Sequence, residues 1–201
     1  MDHTTNTEMP DTEEQAMVSR RITGTCALLG GASMIAHSVL MAVSPPGLPD
    51  GPYRDGGTIA GMFFLGAVVF ISAAAIGIYW IHGRGRGATA VVRISTVTAA
   101  ASLFFGVALF NAAYLAGFVL ILIAVAAFTA TGIGLLQTQV LPRWTGGLLA
   151  VSSVLLLATN TEDSRVLFLV PFGATWVTIG AVSLIMASHH RFTRATPLRY
   201  T

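Results

Sequence analysis

Polar and apolar positions along this chain separate into long blocks. Between Ile94 and Pro142 it runs for 49 residues without an Asp, Glu, Lys, Arg or His. At about 1.5 Å per residue, one helix over that run would reach roughly 70 Å. The hydrocarbon core of a bilayer is only about 30 Å thick, so the run must fold back near Asn111 and cross a membrane twice. Charge-free windows then predict six helical spans: Ile22–Ser44, Ile59–Ile81, Ala88–Phe110, Tyr114–Thr138, Trp144–Thr161 and Val166–Ser188. Each is close to the roughly 17–25 residues that span a bilayer, with the fifth the shortest. The expected fold is all-α, a polytopic transmembrane helical bundle. A six-helix domain over residues 20–190 follows a disordered acidic tail at 1–19 and precedes a basic tail at 191–201.

The arginines orient the bundle. With six spans and a cytoplasmic N-terminus, Arg20, Arg21, Arg84, Arg86, Arg93, Arg143, Arg191, Arg194 and Arg199 lie inside, and only Arg54 and Arg165 lie outside. If the fifth segment failed to cross, the nine-to-two split would fall to seven against four. The positive-inside rule therefore favours six spans with both termini cytoplasmic. Trp80 and Trp144 fall at the cytoplasmic interface, where amphipathic rings gather, while Trp176 lies mid-span. The first nineteen residues carry Asp2, Glu8, Asp11, Glu13 and Glu14, the reverse of a basic signal-peptide start, so the first span is expected to remain as an uncleaved anchor.

Composition agrees. Of 201 residues 54% are hydrophobic and only 10% charged, against about 25% charged in soluble domains. All eleven basic residues are Arg, a bias associated with GC-rich bacterial genomes. The net charge of +2 comes from arginines scattered among loops rather than from a basic face with interleaved aromatics, which excludes nucleic acid as a partner. Cys26 is the only cysteine, so neither an intrachain disulfide nor a thiolate metal site is available.

Small and hydroxylated residues recur along single helix faces. Thr23, Cys26, Gly30, Ser33 and His37 form one stripe on the first span; Ser95, Thr98, Ser102 and Gly106 do so on the third, and Ala127, Thr131, Gly134 and Thr138 on the fourth. Gly66, Ala73 and Gly77 mark the second span, and Gly173 and Gly180 share a face of the sixth. Lipid supplies no hydrophobic drive for helix association, so such stripes are expected to be close-packing surfaces. The competing expectation is a polar pathway through the bundle. Pro171 is expected to bend the sixth helix.

Few residues are equipped for chemistry. His37 is the only histidine inside a span, and ionisable residues there point to function by default. With Ser33 on its own stripe, and Asn111 and Tyr114 at the turn between the third and fourth spans, it makes up the candidate binding set. Arg93 is expected to snorkel to the headgroups. Asp50, Arg54 and Asp55, and Glu162, Asp163 and Arg165, are expected to be solvated loop charges or an ion-paired lid. The Gly-Arg-Gly-Arg-Gly loop at 83–87 lacks the spacing of a nucleotide-binding loop. No nucleophile–base pair, carboxylate pair or metal-ligand spacing is present, which argues against an enzyme and leaves no cofactor or metal site expected.

The element Leu141-Pro142-Arg143-Trp144-Thr145-Gly146, together with Arg20-Arg21-Ile22-Thr23-Gly24 and Arg93, resembles an uncharacterised family of bacterial multi-pass integral membrane proteins in which Leu-Pro-Arg-Trp-x-Gly precedes a late helix. The resemblance implies a helical membrane bundle and no catalytic residues. The expected role is that of a non-enzymatic accessory or binding component of the bacterial inner (plasma) membrane, with the lipid bilayer and a protein partner or a second copy of the chain as its partners. Two alternatives stay open. One is a small oligomeric transporter or channel with His37 in a polar pathway. The other is a membrane enzyme acting on lipid or quinone through His37 with Asn111 or Tyr114.

Overall fold

Long runs of Ala, Leu, Val, Ile and Phe satisfy their backbone hydrogen bonds internally only as helices when no water is at hand. The computed structural model describes residues 10–44, 56–82, 87–110, 112–138, 140–160 and 163–194, and among these there is no strand. The helices are α1 (Pro10–Val43), α2 (Gly57–Ile81), α3 (Ala88–Phe110), α4 (Tyr114–Gln137), α5 (Arg143–Leu155) and α6 (Leu169–Arg194). A 3-10 turn, Leu156–Ala158, extends α5, and another, Ser164–Phe168, leads into α6. Five segments are long and apolar enough to cross a bilayer: Met17–Val43, Gly57–Ile81, Ala88–Phe110, Tyr114–Gln137 and Ser164–Ser188. Arg143–Ala158 is apolar but shorter.

Each helix packs on the next in chain order, and α6 closes on α1. Backbone approaches and hydrogen bonds between helices set five of the six pairs. A Cβ on Gly24 would meet the Gly180 carbonyl oxygen at 3.0 Å, and Gly31 lies against Gly173, so α1 and α6 run antiparallel. Thr23 against Gly77 and Gly30 against Ile71 do the same for α1 and α2. Ser72 donates to the Ala100 carbonyl between α2 and α3, and Gly134 against Val92 and Gly106 against Ile121 set α3 on α4. Gly132 meets Gly146 and Ala150 between α4 and α5. The result is a ring of six alternating helices, tight at five seams and loosest between α5 and α6. Arg20, Arg21, Arg93 and Arg143 stand at one end, the arginine end, and Arg165 at the opposite end.

Two sequence expectations are corrected. The acidic stretch assigned to a disordered tail is helical from Pro10 onward, so α1 is 34 residues long and its first turns project beyond the apolar segment. Helix propagation from a long apolar span carries through Glu13-Glu14-Gln15-Ala16, all good helix formers. Pro171 does not fall within an established helix. The 3-10 turn ends at Phe168, and Pro171 is the third residue of α6. Backbone N–H groups in a first turn have no intrahelical partner, so the missing donor costs nothing there.

The middle of the ring is filled. Phe128 of α4 meets Phe172 and Trp176 of α6 edge-on, with ring centroids 5.4 and 5.6 Å apart, and Trp176 is fully buried. Trp176 thus packs against protein. A second small cluster of Met41, Ala60 and Val166 holds the opposite end of α1, α2 and the turn before α6 together.

Candidate functional site

The first stripe faces α2 along its length. Thr23 bonds back to the Ser19 carbonyl at 2.7 Å and lies against Gly77, and Ser33 lies beside Gly66. His37 donates from Nδ1 to the Ala60 carbonyl at 2.9 Å. Its ring packs on Phe64, with centroids 5.0 Å apart, and is buried. Ser33 and His37 are therefore brought together in one seam, engaged with α2. Tyr114 stands elsewhere. It opens α4, is 63% exposed, and lies between Phe110 and Phe118 at centroid distances of 4.9 and 6.2 Å. Its aromatic neighbours belong to the α3–α4 corner, whereas those of His37 belong to the α1–α2 seam. Asn111 lies outside the described residues, as do Asp50, Arg54, Asp55, Glu162 and the arginines of the 83–86 loop.

The other stripes are likewise helix contacts. Ser95 and Thr131 share a hydrogen bond of 2.8 Å between α3 and α4, and Thr131 also bonds its own helix at the Ala127 carbonyl. Ala73 departs from the expectation, because it is exposed while Ala74 and Ala75 turn inward. With Ala at three successive positions, the sequence could not show which one faces the ring.

Two arrangements at the arginine end were not legible in the sequence. Arg93 does not simply reach outward. Its guanidinium carbon sits 4.2 Å from the centre of the Tyr79 ring, and its Nε is buried without a hydrogen-bond partner. Tyr79 and Arg93 form the rung two turns along from Ser72 and Ala100 in the same seam. The second arrangement centres on His82, which follows α2 directly. Its Nδ1 donates to the Ile78 carbonyl at 2.8 Å. Nε2 is then the acceptor for the Thr138 hydroxyl at 3.3 Å. This pair ties the end of α2 to the end of α4. Thr138 was already on a stripe, but nothing in the spacing pairs it with a loop histidine.

Burial lowers the His82 pKa from its ordinary 6.5; the Ile78 hydrogen bond opposes this and Arg20 adds to it. The folded chain thus holds His82 neutral at pH values where an unfolded chain is already protonated. Its contribution to stability is full above about pH 6.5 and is lost as the pH falls below that value. Thermal unfolding in detergent across pH 5 to 8 is expected to show declining stability on the acid side. In His82→Gln that part of the decline is expected to disappear.

At the opposite end, Asp163 caps the turn before α6. It accepts from the Arg165 backbone N–H at 2.8 Å and pairs with its guanidinium at 2.8 Å on an exposed surface. Such a pair contributes about 0–1 kcal/mol, so it shapes the turn rather than closing a lid. Among the described residues, no three His, Cys, Asp or Glu side chains gather in a metal-binding group.

The fold and its seams define a class, the multi-pass helical membrane protein. No family model, no curated protein and no solved structure matches this chain.

Proposed function

We propose that this chain is a six-span inner-membrane protein with both termini in the cytoplasm, acting as a non-enzymatic accessory or binding component that holds a partner protein. The observation that carries this reading is the use of the interior. Among the stripe residues, His37, Ser95, Thr131 and Thr138 are bonded to neighbouring helices or to the end of α2, and Phe128, Phe172 and Trp176 occupy the middle of the ring. A ring built this way leaves its outer surface and its loops as the places to meet another molecule. The gathering of Arg20, Arg21, Arg93 and Arg143 at one end supports a cytoplasmic arginine end. Antiparallel packing of α5 between α4 and α6 supports a sixth crossing, with the bilayer thinning slightly around the shortest helix.

Two measurements test this. Vesicles containing only this protein are expected to show solute flux no higher than protein-free vesicles, and His37→Ala is expected to leave that unchanged. The same substitution removes one interhelical hydrogen bond and is expected to cost roughly 1 kcal/mol in thermal unfolding. Native mass spectrometry of protein extracted gently from its host membrane is expected to show a second polypeptide. Robust flux, or only whole multiples of this chain, overturns the reading in favour of a self-contained transporter.

A further inference from the structure

Five of the six seams are knit by backbones at glycine distance or by hydrogen bonds between helices, and the sixth is open. Between α5 and α6 runs a groove of about 250 Å³ lined by Leu148, Val151 and Leu155 on one side and Pro171, Ala174 and Thr178 on the other. The cause lies on the far side of α5. Gly146 sets α5 against Gly132 of α4 so closely that a Cβ there would lie 2.5 Å from the Gly132 oxygen. Thr145, fully buried, holds the start of α5 through a 2.7 Å bond to the Pro142 carbonyl. Pulled onto α4, α5 stands away from α6.

The walls of this groove are apolar even where the residues are not. Ser152 donates to the Leu149 carbonyl at 3.3 Å, Thr175 to Pro171 at 2.9 Å and Thr178 to Ala174 at 2.8 Å. All three hydroxyls are turned onto their own helices, leaving methyl and methylene groups to face the space. From Leu148 to Leu155 is about 10 Å along the helix, and a helix segment of that length, about 10–12 Å across, occupies several times the groove's volume. A single hydrocarbon chain is the slimmer occupant.

A headgroup station stands at one end of the same stripe. Trp144 lies four residues before Leu148, on the same helix face and about 6 Å nearer the arginine end. It is 53% exposed. Arg143 beside it is exposed and has no ion pair among the described residues. A guanidinium matches a phosphate through paired N–H donors, and an indole at the interface adds one more. From Trp144 to Leu155 is about 16 Å, close to one leaflet's half of the roughly 30 Å hydrocarbon core. The Pro-Arg-Trp element and the groove are therefore spaced as the head and tail of one lipid.

We propose that the α5–α6 seam binds one phospholipid, with an acyl chain in the groove and an anionic headgroup on Arg143 and Trp144. The test uses the full-length protein reconstituted in vesicles of equal phosphatidylglycerol and phosphatidylcholine, then extracted for native mass spectrometry. The wild type is expected to retain one phospholipid per chain, predominantly phosphatidylglycerol. Val151→Trp and Ala174→Trp place a ring in the groove from exposed positions, and are expected to lose that lipid while unfolding at the wild-type temperature. Arg143→Gln is expected to retain a lipid but to lose about fivefold of the preference for the anionic one. Phosphatidylglycerol with a photoreactive acyl chain is expected to label peptides of α5 and α6. Equal lipid retention by the wild type and both tryptophan variants overturns the proposal, as does label spread evenly over α1 to α4. Efficient cross-linking of one copy to another through Ala174→Cys assigns the groove to a second copy instead, and also overturns it.

Discussion

Gly31→Val is expected to break the ring open. A Cβ at Gly31 meets the Gly173 carbonyl oxygen and, at 2.6 Å, the Val177 amide nitrogen. The same seam recurs seven residues away, where a Cβ on Gly180 lies 2.7 Å from both the Gly24 oxygen and the Leu28 nitrogen. These neighbours are backbone, so they cannot rotate aside as the tip of a side chain can. Relief comes only by moving α1 and α6 apart, and that loses the dispersion contacts that hold helices together in lipid. Overpacking of this kind costs about 1–3 kcal/mol, and the upper end is expected here. In a chain of this size that lowers the unfolding temperature by roughly 10 °C. Gly180→Val is expected to behave alike. Gly61→Val is the control: nothing lies within 4 Å of its Cβ, so its unfolding temperature is expected to stay near that of the wild type. Equal effects of Gly31→Val and Gly61→Val would mean that the α1–α6 seam is not closed by backbone contact.

Trp176→Ala is expected to be the most costly single change in the middle of the ring. The indole fills the space between Phe128 and Phe172, with centroid distances of 5.6 and 6.2 Å. Its removal leaves a void in a region closed to both lipid and water. Large-to-small changes at buried aromatics cost about 3–5 kcal/mol in soluble cores. The lower end, roughly 3 kcal/mol, is expected here, because lipid is as apolar as the core and only lost contacts count. Trp176→Phe separates shape from polarity. The indole Nε1 has no hydrogen-bond partner, so Phe forfeits only volume and is expected to cost about 1 kcal/mol. Denaturation of the two variants side by side checks this. A Phe variant as unstable as the Ala variant would show that the indole N–H is bonded to something within the membrane.

Much of this architecture is legible in the sequence. A stretch such as Ile94–Pro142, with no charge and twice the length of a bilayer crossing, admits only a helical hairpin. The helix boundaries follow, because charged and Pro/Gly-rich residues are excluded from the hydrocarbon and so mark where each helix stops. α2, α3 and α4 begin and end within about two residues of the predicted windows. Stripes of small residues announced close packing, and Gly173 with Gly180 announced a near neighbour. They did not say which neighbour. Gly24 and Gly31, the other half of that contact, lie one step round α1 from the Thr23–His37 stripe, and no periodicity separates two adjacent faces of a helix that is apolar on all sides.

What the sequence by itself determined is thus the solvent, the helices and the end on which the arginines gather. These follow from one-dimensional quantities, the length and charge of segments, set against a slab of fixed thickness. Only the tertiary structure decided which faces meet. It paired His37 with Ala60, and it brought His82 to Thr138 across 56 positions of chain. It stacked Arg93 on Tyr79, and it left the α5–α6 seam open because Gly146 draws α5 onto α4. Each of these depends on the rotation of one helix against another. Rotation is set by where backbones can approach most closely, and that is a property of pairs of surfaces that no single segment carries.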